Sequence, residues 1–83
     1  MVKAELYTWS NCPYCQRAKV LLEMRNIPYT EHNLDNNDEK KAELYQQTGQ
    51  MTVPFVFING RFIGGFSDLK ELDDAGKLDT IDQ

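Results

Sequence analysis

The chain has 83 residues, with 9 basic and 13 acidic side chains and a formal net charge of −4. This length predicts a single domain over residues 1–83 that buries only about 60% of its unfolded-chain surface, and the acidic balance argues against nucleic acid as a partner. No apolar stretch in the sequence is long enough to span a membrane, and no signal peptide is visible, so we expect a cytoplasmic, reducing location.

The first predicted element is a strand over Lys3–Trp9, which ends in residues suited to a pleated surface. A helix is predicted from Pro13, because proline tolerates the first helical position, and apolar residues then recur at helical spacing. Cys12 therefore lies at the N-terminus of this helix, and Cys15 lies one turn inside it. They are the only two cysteines of the chain.

Two cysteines at this spacing could form a structural disulfide, half of a metal site, or a redox dithiol. A ring this short restricts the unfolded chain by only about 2 kcal/mol. A structural zinc site needs about four ligands, and the chain offers two cysteines and the single His32. The redox interpretation is therefore favoured.

The position of Cys12 explains why its thiol should be reactive. A helix N-terminus presents unpaired N–H groups and the positive end of the helix dipole, both of which stabilise a thiolate. Cys15 should be more buried and less acidic. We therefore expect Cys12 to attack a disulfide and Cys15 to resolve the mixed disulfide that forms.

The next elements are a strand over Tyr29–Leu34 and a helix that runs to about Thr48, with Gly49 as its stop. Asn36, followed three residues later by Glu39, resembles a capping box at the start of that helix. The acidic run from Asp35 is interpreted as a solvated helix face and its cap.

The second half of the chain predicts a hairpin and a last helix. An apolar strand over Val53–Ile58 is followed by the strong turn signal Asn59-Gly60 and a return strand over Arg61–Gly64. Ser67 or Asp68 is predicted to cap a short final helix that ends at Gly76. The order β-α-β-α-β-β-α predicts an α/β fold with a four-stranded mixed sheet and helices on both faces.

Four motifs in this order resemble the dithiol glutaredoxins, which have the thioredoxin fold, over nearly the whole length. They are Cys12-Pro13-Tyr14-Cys15, Thr52-Val53-Pro54, the Phe55–Ile58 strand with its Asn59-Gly60 turn, and Gly64-Gly65-Phe66-Ser67-Asp68. The resemblance implies a glutathione-dependent disulfide oxidoreductase with catalytic Cys12 and Cys15. The glutathione-binding residues that it implies are Tyr14, Gln50, Thr52, Val53, Pro54, Gly65, Phe66, Ser67 and Asp68.

The same resemblance implies how glutathione is held. The proline matching Pro54 is cis in the family, so that Val53 can pair its free N–H and C=O with the cysteinyl unit. The N–H groups at the start of the last helix suit the γ-glutamyl carboxylate, and Asp68 suits the ammonium group. Ser67 and Asp68 could equally be simple caps, and the two interpretations are compatible.

The chain departs from many glutaredoxins at two positions where a basic residue is common. Trp9 lies three residues before the reactive cysteine and Gln50 two before Thr52. A neutral donor at Gln50 forms a weaker hydrogen bond than a cation, so we expect weaker glutathione affinity. Arg17, on the first helix, is a candidate to replace the missing cation. Trp9 could line the glutathione-binding site, or it could end the first strand and pack against the core.

The implied reaction is thiol exchange, with glutathione as reducing co-substrate and no tightly bound cofactor or metal. Expected partners are glutathionylated or disulfide-containing proteins, ribonucleotide reductase among them, and we expect a monomer. Alternatives are an electron donor reduced by thioredoxin reductase, an iron–sulfur carrier and a soft-metal carrier. The Gly65–Asp68 segment favours glutathione as reductant. Against a soft-metal carrier, Ser10 stands where those proteins usually have a methionine.

Overall fold

The computed structural model describes residues 2–78 and contains four strands and three helices within them. Residue 1 and residues 79–83 of the predicted domain lie outside the described residues. None of the described helices is long and apolar enough to cross a membrane. In chain order the elements are β1 (Ala4–Thr8), α1 (Pro13–Met24), β2 (Tyr29–Asn33), α2 (Asp38–Thr48), β3 (Phe55–Ile58), β4 (Arg61–Gly64) and α3 (Phe66–Asp74).

The four strands form one mixed sheet in the order β2-β1-β3-β4. β1 and β2 are parallel and are connected by α1, whereas β3 is antiparallel to both β1 and β4. Asn59 and Gly60 close the β3–β4 hairpin with φ angles of 51° and 82°, as a two-residue turn of this kind requires. The predicted element order and mixed sheet are confirmed.

Helices cover both faces of the sheet, and successive residues of β1 point to opposite faces and pack in different clusters. Ala4 and Leu6 pack with α1 and α3 in one buried cluster. Tyr7 packs against a second cluster that includes Leu44 of α2. Strand β1 thus lies between two cores, and its carboxyl end leads directly to Cys12.

The structure shows which residues cap α2 and α3, and the cap of α2 differs from the prediction. The N-cap of α2 is Asn37, whose Oδ1 accepts from the Lys40 N–H at 3.2 Å, while Asn36 has a φ of 60° in the preceding turn. Helix α3 begins at Phe66 with Gly65 as the N-cap residue, and the Asp68 side chain caps it from the third helical position by accepting from the Gly65 N–H. Asparagines tolerate both roles, so the sequence pattern alone did not separate Asn36 from Asn37.

Candidate active site

Cys12 is the N-cap residue of α1, with an extended backbone and Pro13 as the first helical residue. Its Sγ accepts a hydrogen bond from the Cys15 N–H at 3.2 Å. An N–H that would otherwise be unpaired at the helix start thus points at the sulfur, where it favours negative charge. The Cys12 side chain is 9% exposed and borders an open pocket.

Cys15 lies behind Cys12 and is only 1% exposed. Burial is the main cause that raises the pKa of the Cys15 thiol to about 12, and its hydrogen bond with Cys12 adds to the shift. The predicted asymmetry in burial is therefore present. The Cys15 thiol stays protonated at neutral pH, so it can give up its proton only during the exchange reaction.

The pocket beside Cys12 has a volume of about 560 Å³. It contains every residue that the resemblance assigned to glutathione, whereas Cys15 does not line it. Trp9, Asn11 and Pro13 lie in its wall as well, and Asn11 was not among the predicted site residues. The lining residues are Trp9, Asn11, Cys12, Pro13, Tyr14, Gln50, Thr52, Val53, Pro54, Gly65, Phe66, Ser67 and Asp68.

One wall of the pocket is the loop that carries the cis Val53–Pro54 peptide bond. Gln50 holds this loop, because its Nε2 donates to the Thr52 carbonyl at 2.7 Å and to the Pro54 carbonyl at 3.0 Å. Both amide hydrogens are thus used within the loop. Gln50 lines the pocket as expected, and its role as a hydrogen-bond donor to the ligand stays a prediction.

The opposite wall is the start of α3, entered through two glycines. Gly64 has a φ of 129°, and a Cβ there would clash with the Asp68 carboxylate. The Asp68 Oδ2 accepts from the Gly65 N–H at 3.0 Å. Asp68 therefore fixes the turn into α3, and the first residues of α3, Phe66 and Ser67, line the pocket.

Trp9 combines both roles considered for it. It lines the Cys12 pocket and packs against the core cluster that contains Leu44. Its indole Nε1 is buried without a hydrogen-bond partner among residues 2–78. The Lys41 Nζ lies 5.1 Å from the centre of the indole ring, within reach of a cation–π interaction.

The turn before Cys12 is held by Asp35, a contact that the sequence analysis missed. The Asp35 carboxylate accepts from both the N–H and the hydroxyl of Ser10. These hydrogen bonds hold the pKa of Asp35 below its usual value. Asp35 was predicted to belong to a solvated helix face, and only the parallel pairing of β1 with β2 brings it to Ser10.

The structure also places Tyr14, Arg17 and His32, which were considered in the sequence analysis. Tyr14 is 54% exposed, and the Arg17 guanidinium lies 5.2 Å from the centre of its ring. Arg17 is not among the described residues that line the Cys12 pocket. His32 stacks on Tyr7 with ring centres 4.6 Å apart, within the sheet. No group of three or more His, Cys, Asp or Glu side chains within residues 2–78 is arranged to hold a metal ion.

Comparisons with known proteins agree with this geometry. The Glutaredoxin family model matches residues 4–63. Glutaredoxin 3 of Escherichia coli is 42% identical over 81 residues, which cover 98% of each chain. A glutaredoxin of Pseudomonas aeruginosa is 42% identical over 76 residues, covering 92% of this chain and 90% of that protein.

Solved structures give the same result. A dithiolic glutaredoxin from Trypanosoma brucei brucei has a TM-score of 0.85 and 46% identity, covering 93% of this chain and 82% of its own. The buckwheat glutaredoxin–glutathione complex has a TM-score of 0.88 and 38% identity, covering 93% of this chain and 73% of its own.

Proposed function

The chain belongs to the glutaredoxin family of thiol–disulfide oxidoreductases, and we propose that its reductant is glutathione, bound in the pocket beside Cys12. The observation that carries the proposal is the convergence of three elements on one sulfur. The start of α1, the Val53–Pro54 loop and the start of α3 all line the pocket that Cys12 borders. The buckwheat relative, solved with glutathione, supports this ligand.

In the proposed complex the cysteinyl unit of glutathione lies along Val53 as a short antiparallel pair, with its sulfur at Cys12. The γ-glutamyl carboxylate accepts hydrogen bonds from the first N–H groups of α3, where the helix dipole also favours an anion. The γ-glutamyl ammonium group approaches Asp68, one of whose oxygens is used by Gly65. This arrangement accounts for each wall of the pocket.

The proposed reaction begins when the Cys12 thiolate attacks the glutathionyl sulfur of a mixed disulfide. The Cys12–glutathione disulfide forms, the original disulfide breaks, and the substrate thiol leaves as a thiolate that takes up a proton. The thiolate of a second glutathione then attacks the bound glutathionyl sulfur. Oxidised glutathione leaves, and Cys12 returns as a thiolate.

Protein disulfides require both cysteines in this scheme. Cys12 forms a mixed disulfide with the substrate protein and releases the first substrate thiol. The Cys15 sulfur, losing its proton, attacks the Cys12 sulfur, which releases the second substrate thiol and closes the Cys12–Cys15 disulfide. Two glutathiones then reduce this disulfide. A protein disulfide such as that of ribonucleotide reductase is a proposed substrate of this class, and we propose a cytoplasmic site of action.

The experiment is turnover of a small glutathione mixed disulfide with glutathione, glutathione reductase and NADPH. We expect wild type and Cys15→Ser to turn over and Cys12→Ser to be inactive. A protein disulfide should require both cysteines. Activity with thioredoxin reductase but none with glutathione would contradict the proposed reductant. Loss of both activities in Cys15→Ser, with the fold intact, would contradict the division of roles.

A further inference from the structure

A second groove lies between α1 and α3, outside the pocket beside Cys12, and has a volume of about 300 Å³. Val20 and Met24, one turn apart on α1, are 52% and 64% exposed and form a small apolar patch, whereas Ala18 and Leu22 of the same helix are buried. The groove is lined by Arg17, Val20, Leu21, Met24, Phe66 and Lys70.

The charges at this groove are positive, although the chain as a whole has a net charge of −4. Arg17 lies over the Tyr14 ring, and the Lys70 Nζ lies 3.2 Å from the Asp74 Oδ1 in an exposed pair. An exposed pair of this kind contributes at most about 1 kcal/mol, so the Lys70 ammonium group can exchange Asp74 for another carboxylate. None of the described lining residues is acidic.

The groove shares one lining residue with the Cys12 pocket. Phe66 lines both, and its ring centre lies 6.1 Å from that of Tyr14, which lines the pocket. Arg17 and Met24 lie five and twelve residues after Cys12, which corresponds to about 8 Å and about 18 Å along a helix. An extended peptide covers that span in about two to six residues.

We propose that this groove, called the α1–α3 groove, binds a segment of the protein substrate near its disulfide-bonded cysteine. The segment that fits is apolar with at least one acidic residue. Its apolar side chains cover Val20 and Met24, and its carboxylate pairs with Lys70. The inference rests on the proposed function, because it concerns the protein whose disulfide Cys12 attacks. Glutathione alone occupies the Cys12 pocket and does not extend into the groove.

The test uses two synthetic peptides, each with one glutathionylated cysteine. One peptide carries leucine and glutamate residues about four positions from the cysteine on either side, and the other has serine and lysine there. We expect wild type to prefer the acidic peptide. Lys70→Glu, and separately the double variant Val20→Ser/Met24→Ser, should lower kcat/KM for this peptide about threefold to tenfold. Turnover of a small glutathione mixed disulfide should not change.

Lys3→Glu is the matched control, because it makes the same change in net charge at the opposite end of β1 from Cys12. The inference is overturned if Lys70→Glu slows the acidic peptide no more than Lys3→Glu does. Equal wild-type kcat/KM for the two peptides would also overturn it. Failure of the proposed function can be distinguished from failure of this inference alone. If the proposed function is wrong, wild type does not turn over the small mixed disulfide with glutathione, and the inference fails with it.

Discussion

Gln50 acts on the site through the backbone of the loop that follows it. Its side-chain amide joins the carbonyls on either side of Val53, and these carbonyls can accept hydrogen bonds only from the NH₂ end. A basic residue at this position would add a positive charge, but its N–H donors would have a different geometry. Gln50 is therefore a positioning residue for Val53 and Pro54.

Replacing this amide with a carboxylate tests the assignment. Gln50→Glu keeps the shape but places acceptor oxygens against two carbonyls, so we expect both hydrogen bonds to be lost, each worth about 1 kcal/mol. The measured result should be a rise in KM for the glutathione mixed disulfide and a lower melting temperature. Gln46→Glu, an exposed change on α2, controls for charge, and equal effects of the two changes would refute the assignment.

The Cys15 thiol makes stability depend on pH. Its folded-state pKa is raised from 9.0 to about 12, so the folded state holds the proton more tightly than the unfolded state between these values. The stabilisation is complete below pH 9 and is lost as pH rises towards 12. By linkage the loss reaches about 1.4 kcal/mol at about pH 10.

Denaturant unfolding of the reduced protein at pH 8 and pH 10 measures this loss. The relevant quantity is the difference in stability between wild type and Cys15→Ser. Tyr29 donates a hydrogen bond to Glu23, which raises the pKa of Tyr29, and this group titrates in both proteins. Wild type should lose more stability than Cys15→Ser as the pH rises. Parallel losses would show that Cys15 is not held as the neutral thiol.

At the scale of elements, the turn from β4 into α3 depends on a glycine. In Gly64→Ala the new Cβ would displace the Asp68 carboxylate from the Gly65 N–H, in addition to the backbone cost of the positive φ. We expect a loss of about 1–3 kcal/mol in stability and a lower kcat/KM with glutathione. Unfolding and turnover measurements report the two effects separately.

Gly60→Ala is the matched control, because Gly60 also has a positive φ but a Cβ there meets no atom within 4 Å. It should lower stability without changing kcat/KM. If both variants lowered kcat/KM alike, the contact of Gly64 with Asp68 would not be what shapes the site.

The elements themselves were predictable because their signals are local. Pro13 marks the start of α1, Asn59-Gly60 marks the hairpin, and the apolar run of β3 marks a buried strand. The contacts of Ser10 with Asp35 were not predictable, since they join residues 25 positions apart and depend on strand register. The hydrogen bonds of Gln50 with the Thr52 and Pro54 carbonyls were not predictable for a different reason, because residue type does not determine which acceptors its two N–H donors face.

At the scale of the whole molecule, the sheet lies between two hydrophobic cores. The cluster containing Leu22 and Leu69 lies on one face of the sheet, and the cluster containing Phe55 and Leu44 lies on the other. Trp9 is the only tryptophan and packs against the second cluster. It therefore reports on one face, whereas circular dichroism reports on all the helices.

Leu22→Ala tests whether the two faces unfold together. Loss of a fully buried leucine should lower the free energy of unfolding by about 2–5 kcal/mol, and Trp9 fluorescence and circular dichroism should report the same midpoint. Met24→Ala, at an exposed position of the same helix, should change stability by less than about 0.5 kcal/mol. Separate midpoints in Leu22→Ala would show that the faces unfold independently.

The central claim, that Cys12 receives the glutathionyl group in the pocket, is tested most directly by intact-protein mass spectrometry. Reduced Cys15→Ser and Cys12→Ser proteins are mixed with a stoichiometric amount of a glutathionylated peptide and quenched with acid within seconds. We predict one glutathionyl group on Cys15→Ser, located at Cys12, and none on Cys12→Ser, because Cys15 is buried and protonated. Rapid labelling of Cys15 in Cys12→Ser, or no labelling of Cys12 in Cys15→Ser, would contradict the claim.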